Sequence, residues 1–176
     1  INSYTGFGGG NSFPNESNKF ITTTNGGLNW IRRPMNFPGV SRIGVFFLNS
    51  YTGFAAGSGG TIIRTYDGGN NWTQLIVPVN NYLNAIKFFD ENRGIVAGYD
   101  GLILITSNGG NSWQVSTSNT ANSLFGLSIS GQNEAFVSGD AGTVLYTNDR
   151  GIIWVHRDAG LPYTLKSIFF ADINTG

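Results

Sequence analysis

Four tryptophans, Trp30, Trp72, Trp113 and Trp154, recur at spacings of 42, 41 and 41 residues. A period that regular means one structural unit copied four times along the chain. Seven residues before each Trp stands a threonine (Thr23, Thr65, Thr106, Thr147), and five before it an Asn or Asp (Asn25, Asp67, Asn108, Asp149). Three before it is a glycine (Gly27, Gly69, Gly110, Gly151), so each unit reads Thr-x-Asp/Asn-x-Gly-x-x-Trp. The pattern describes a hairpin turn: Asp or Asn bonds its own backbone two residues on, and Gly supplies the positive φ of a tight turn. The Trp then opens the return strand.

Upstream of each turn lies an apolar pair, Phe20-Ile21, Ile62-Ile63, Ile103-Leu104 and Val144-Leu145. Adjacent residues point to opposite faces of a strand, so these strands are covered on both faces. A second hairpin turn precedes three of the pairs, at Gly57 to Gly60, Gly98 to Gly101 and Gly139 to Gly142, while the first unit carries a longer loop from about Gly10 to Asn18. The remaining strand alternates with period two, in the columns Val45/Ile86/Leu127/Ile168 and Phe47/Phe88/Ile129/Phe170 around a varied column Phe46/Lys87/Ser128/Phe169. It ends in a turn at Asn49 to Gly53, Asp90 to Gly94 and Asp172 to Gly176, with Asn2 to Gly6 as the same turn at the start. No run of ten residues has helical periodicity.

With strands lettered A to D and the Trp turn between C and D, the chain reads BCD, ABCD, ABCD, ABCD, A, sixteen strands in all. The repeat units run over about 1–41, 42–82, 83–123 and 124–164, with a last strand in 165–176. A forty-residue period is too long for a solenoid coil, so the expected fold is all-β, a β-propeller of four-stranded antiparallel blades. Strand A at Leu165 to Ala171 either completes the first blade and closes a ring, or marks a slice through a longer array. Four blades are few for a propeller, and the chain begins with Ile1 rather than Met, so we expect a slice of a larger propeller or array.

The Thr-x-Asp/Asn-x-Gly-x-x-Trp turn resembles the Asp box, or BNR repeat, of sialidases and related propellers, and all four copies match. Arg150, following Asp149 where the other copies have Gly, is a surface variation. The wider unit, best seen from Asp90 to Trp113, is similar to the photosystem II stability and assembly factor family. That resemblance implies a propeller that assists assembly of a membrane photosystem without being an enzyme. It also implies that the sixteen box residues are structural, at the blade periphery and away from the ligand face.

Other functions find little support in the residues. Ten basic and ten acidic side chains cancel, leaving no field to draw the chain to nucleic acid. Apolar runs such as Ile43 to Leu48 are far too short to cross a bilayer, so no membrane insertion is expected. With no Cys, no thiolate metal site can form; a single His, His156, argues against a His-based zinc site, and no cofactor is expected. Asp100 and Asp140 lack the multi-Asp spacing of a calcium loop and are read as turn formers, and Gly8-Gly9-Gly10 lacks the Lys-Ser/Thr and helix of a phosphate cradle.

A sialidase-like hydrolase needs an arginine cluster, a Tyr activated by a Glu, and an acidic proton donor. The seven Arg, seven Tyr and three Glu supply the types, but Glu16, Glu91 beside Arg93, and Glu134 all fall in loops or turns, and no catalytic residue is assigned. Arg32 and Arg33, before Pro34 and expected to lie near the aromatics Phe37 and Tyr4 in the fold, form a basic spot suited to partner contact or to protecting an edge strand. Sequons at Asn15 and Asn71 are read as accidents of an Asn-rich chain. The expected function is therefore a non-catalytic scaffold for a protein partner. The alternatives are a secreted carbohydrate-active protein, sialidase-like or glycan-binding, and a structural repeat segment of a bacterial surface protein. Few Lys, much Asn, Ser and Thr, and no Cys lean toward an extracytoplasmic location.

Overall fold

The computed structural model of the chain describes residues 4–10, 20–35, 37, 40–41, 44–171 and 176. The expected loop from Gly10 to Asn18, with Asn15 and Glu16, lies almost wholly outside the described residues, as do the first two residues of the turn at Asn2 to Gly6 and all but the last of the turn at Asp172 to Gly176.

Among the described residues, fifteen strands form four antiparallel sheets. The first holds three strands, β1 (Gly6–Gly9), β2 (Phe20–Thr23) and β3 (Ile31–Arg33). The second holds β4 (Gly44–Phe47), β5 (Gly53–Ala56), β6 (Ile62–Thr65) and β7 (Thr73–Leu75). The third holds β8 (Leu83–Phe88), β9 (Gly94–Gly98), β10 (Ile103–Thr106) and β11 (Gln114–Ser116). The fourth holds β12 (Leu124–Ile129), β13 (Ala135–Gly139), β14 (Thr143–Thr147) and β15 (Val155–Asp158). Every strand pairs with its neighbour in sequence, as in the blades of a propeller. We number these sheets blades I to IV.

Hydrophobic clusters lie between consecutive blades, because a sheet apolar on both faces must be covered twice. Phe20, Phe47 and Ile63 join blades I and II. Ile62, Phe88, Leu104 and Trp113 join II and III, and Ile103, Leu127, Leu145 and Trp154 join III and IV. Of each apolar pair, the first residue thus faces the following blade and the second the preceding one. Exposure at the ends follows from that rule: Ile21, with no preceding blade, is 36% exposed, whereas Ile63 and Leu104 are sealed. The four Trp all sit on the preceding-blade side, and Trp30 is 47% exposed against 5% for Trp113 and 3% for Trp154.

A ring stack repeats across the interfaces. Phe7 of β1 stacks on Phe47 of β4 (3.5 Å between centroids), Phe54 of β5 on Phe88 of β8 (4.0 Å), and Phe136 of β13 on Phe170 (3.9 Å). The sixteenth strand expected at Leu165 to Ala171 forms no ladder. Its residues nonetheless occupy the place of an inner strand beside β12. Leu165 N–H donates to Gly139 O at 2.9 Å, as Leu83 N–H donates to Gly57 O at 3.1 Å, and Phe170 N–H donates to Ser128 Oγ at 2.9 Å. A ladder needs a second backbone, and no B strand follows this segment within the 176 residues. Among the described residues β1 pairs only with β2, so the first blade has no A strand.

Candidate functional site

The four Trp turns are built the same way. The threonine hydroxyl donates to the Asn or Asp side chain (2.8, 2.8, 3.0 and 2.7 Å) and accepts the N–H of the box glycine (3.1, 2.9, 3.0 and 3.0 Å). The same Asn or Asp Oδ1 accepts the backbone N–H four residues on, from Asn29, Asn71, Ser112 and Ile153. One hydroxyl and one side-chain oxygen thus satisfy the donors of a turn that has no helix or ladder to do so. Trp72 and Trp154 donate their indole N–H to the carbonyl of the box glycine, at 3.1 and 3.0 Å.

The box glycines have φ between 83° and 91°, a region closed to most side chains. Gly69 is also wedged against the preceding blade: a Cβ there would lie 2.3 Å from Phe20 Cε1. In the fourth copy Arg150 takes the left-handed turn position (φ 66°) that Gly26, Gly68 and Gly109 hold elsewhere.

The backbone amide and side chain of Asn71 hold the Asp67 carboxyl below the usual carboxylate range. Burial works to raise Asp90, but the N–H groups of Asn92 and Arg93 and the Arg93 guanidinium, 3.1 Å away, more than offset it.

Side chains also reach from each blade to the box of the next. Arg33 on β3 donates to Asn70 Oδ1 at 2.9 Å, and Arg64 on β6 donates to Gly109 O at 2.9 Å and Asn111 Oδ1 at 3.0 Å. Ser116 on β11 donates to Gly151 O. Of the sequence-predicted contact pair, Arg33 therefore spans blades I and II, whereas Arg32 is exposed on the outer strand.

The ingredients of a hydrolase are scattered. Glu91 and Arg93 share the turn after β8, and Asp100 and Asp140 accept hydrogen bonds in turns, from Asn81 (3.0 Å) and Thr164 (2.6 Å). Asn71 is bonded to Asp67 through its side-chain amide at 2.7 Å. A Tyr–Glu pair does form among the described residues, with Tyr146 donating to Glu134 Oε1 at 3.0 Å. Desolvation, then the hydrogen bond and charge of Glu134, push the phenol above its ordinary value, against the pull of Arg157. The phenol therefore stays protonated at neutral pH. Tyr146 stands moreover at the repeat position of Arg64 and Ile105, whose side chains meet the box of the following blade. Among the described residues, no group of three His, Asp or Glu side chains is placed to hold a metal ion.

Among the described residues, two grooves bear on ligand binding. The outer one, about 740 Å³, lies between blades III and IV beside their boxes, walled by Arg93, Gln114, Asn133, Asn148, Arg150 and Ile152. It has amides and guanidinium groups but no aromatic platform for a sugar ring. The inner one, about 460 Å³, runs across β8, β12 and 165–171, walled by Phe46, Lys87, Phe125, Ser128, Lys166 and Phe169. Lys166 Nζ lies 3.5 Å from the Phe125 ring centroid and Lys87 Nζ 5.2 Å from that of Phe46. Sequence reasoning passed over both lysines. The signal was present, since Lys87 interrupts the varied column of the inner strand and the chain holds only three Lys in all.

Comparison with known proteins gives the fold its relatives. The chain is similar to a solved structure described as YCF48 bound to D1 peptide, at 15% identity and TM-score 0.61, over 97% of this chain and 83% of that one. It is similar to YCF48 from Cyanidioschyzon merolae at 16% identity and TM-score 0.65, over 84% of this chain and 55% of that one. The GH74 enzyme of Niastella koreensis matches at 20% identity and TM-score 0.60, over 78% of this chain but 26% of that one. The fold is thus shared with enzymes as well as with YCF48. No curated protein matches the sequence. The family profile described as photosynthesis system II assembly factor YCF48 matches residues 70–169, more than half of the chain, and on that match the protein belongs to the YCF48 family of BNR-repeat propellers.

Proposed function

We propose that this chain is a non-catalytic interaction scaffold, a set of rigid blades that binds a peptide segment of a protein partner. The observation that carries the reading is the similarity, along nearly the whole chain, to a YCF48 structure that holds a D1 peptide. Arg32, exposed on the outer strand of blade I, is a subsidiary contact in this reading. The amino-acid usage noted above supports an extracytoplasmic location.

Calorimetric titration with the D1 peptide and a scrambled control, run beside a hydrolysis assay on β-linked glucan oligosaccharides and aryl sialosides, tests the proposal. Saturable binding of the authentic peptide without turnover is expected. Turnover that survives repurification, or no preference over the scrambled peptide, would overturn it.

A further inference from the structure

We infer that the inner groove is a recognition site for an acidic peptide segment, in which Lys87 and Lys166 pair with carboxylates while Phe46, Phe125 and Phe169 receive an apolar side chain. The inference rests on the scaffold reading and specifies the chemistry of its partner.

The chain has three lysines, and two of them line this one groove. Among the described residues neither forms an ion pair, and the described ion pair is Arg93–Asp90 on an outer turn. Each ammonium instead lies against a phenylalanine face. A cation over a ring is attracted by the ring's quadrupole, but that contact satisfies only one side of a group with three donors. Burial holds Lys87 below its ordinary pKa, the sign of a cation kept partly from water with no anion beside it. A carboxylate delivered into the groove supplies the missing partner in surroundings where charge-assisted bonds are strong.

Shape and lining favour a peptide over a small anion. The groove crosses the inner strands of two blades and the 165–171 segment, and about 460 Å³ exceeds what a single anion fills. Phe169 is 74% exposed beside the two cations, an apolar surface that a free phosphate would leave wet. Ser128 Oγ, on the same wall, is already held by Phe170 N–H, so the wall is fixed before any ligand arrives.

The test uses the full 176-residue chain and a capped hexapeptide with two Glu on either side of a Phe, with its all-Gln counterpart as control. The acidic peptide should bind at least tenfold more tightly than the Gln peptide, and Lys87→Gln and Lys166→Gln should each weaken it by about tenfold. Zero-length carbodiimide coupling should join the bound peptide to Lys87 or Lys166 of the unaltered protein and not to Lys19. That result needs no variant to fold. Equal binding of the Gln peptide, affinity unchanged in both variants, coupling confined to Lys19, or complete displacement by equimolar inorganic phosphate would overturn the assignment. The two proposals fail separately. If the D1 peptide binds with affinity indifferent to both lysines, the groove is wrong and the scaffold stands. If the acidic peptide couples to the lysines while the D1 peptide shows no specific binding, the groove stands and the scaffold reading loses its support.

Discussion

At the scale of single residues, the box shows how a short pattern specifies a turn without a ladder. Gly69 answers two demands at once, a backbone at φ 86° and a surface against Phe20. Gly69→Ala should therefore destabilise by about 2–4 kcal/mol, the sum of left-handed strain and overpacking, read by denaturant unfolding. Asp67 allows a sharper experiment, because Asn25 and Asn108 fill the same position in other copies and accept the same bonds. Asp67→Asn should leave melting near neutral pH unchanged, while Asp67→Ala lowers it. Since the folded Asp67 carboxyl lies below its unfolded value, the stability it adds is present above the unfolded pKa and is lost as pH falls through the folded one. The gap between native protein and Asp67→Asn should therefore shift in favour of the Asn variant as pH drops below about 5, measured as melting temperature against pH. The turn was legible in the sequence because its bonds close within seven residues, although Asn or Asp accepts the N–H four residues on, and not the one two residues on that the pattern suggests, while the threonine hydroxyl takes the N–H two residues on. The reach of Arg33 to Asn70 and of Arg64 to Asn111 was not legible, because those bonds cross between blades, 37 and 47 residues apart.

At the scale of elements, the apolar pairs announced strands buried on both faces, and β6 and β10 are so buried. What the pairs could not say is which blade each face meets, and that assignment explains the end effects. Trp113 fills the interface between blades II and III, edge-on to Phe88 with centroids 6.0 Å apart, whereas Trp30 has no blade before it. Trp113→Ala should cost about 3–5 kcal/mol as a buried aromatic deletion, and Trp30→Ala well under half of that, by chemical denaturation of the two variants. Equal costs would mean that the first blade is covered in solution. The last inner strand shows the limit of pattern reading. The alternation from Leu165 to Ala171 is that of a strand, and its side chains dock where a strand's would, but a strand is defined by a partner backbone that this stretch lacks. The lysine groove was hidden because Lys87 on β8 and Lys166 in 165–171 come together only when the blades pack.

At the scale of the molecule, the interfaces are alike enough that stability should behave as in a linear array, with each blade held by its neighbours. Amide hydrogen exchange should accordingly be slowest in β9 and β10, which have blades on both sides, and faster in β2 of blade I. Across that array labour divides between two edges: boxes on the outside hold each blade to the one before, and the inner strands are the proposed partner face. The most direct test is amide and lysine side-chain NMR of the uniformly labelled chain titrated with the D1 peptide. The account predicts saturable shifts along β8, β12 and 165–171 and at the Lys87 and Lys166 ammonium groups, with the amides of Gly69, Gly110 and Gly151 unmoved. Shifts concentrated on the box turns, with the inner strands silent, would contradict it.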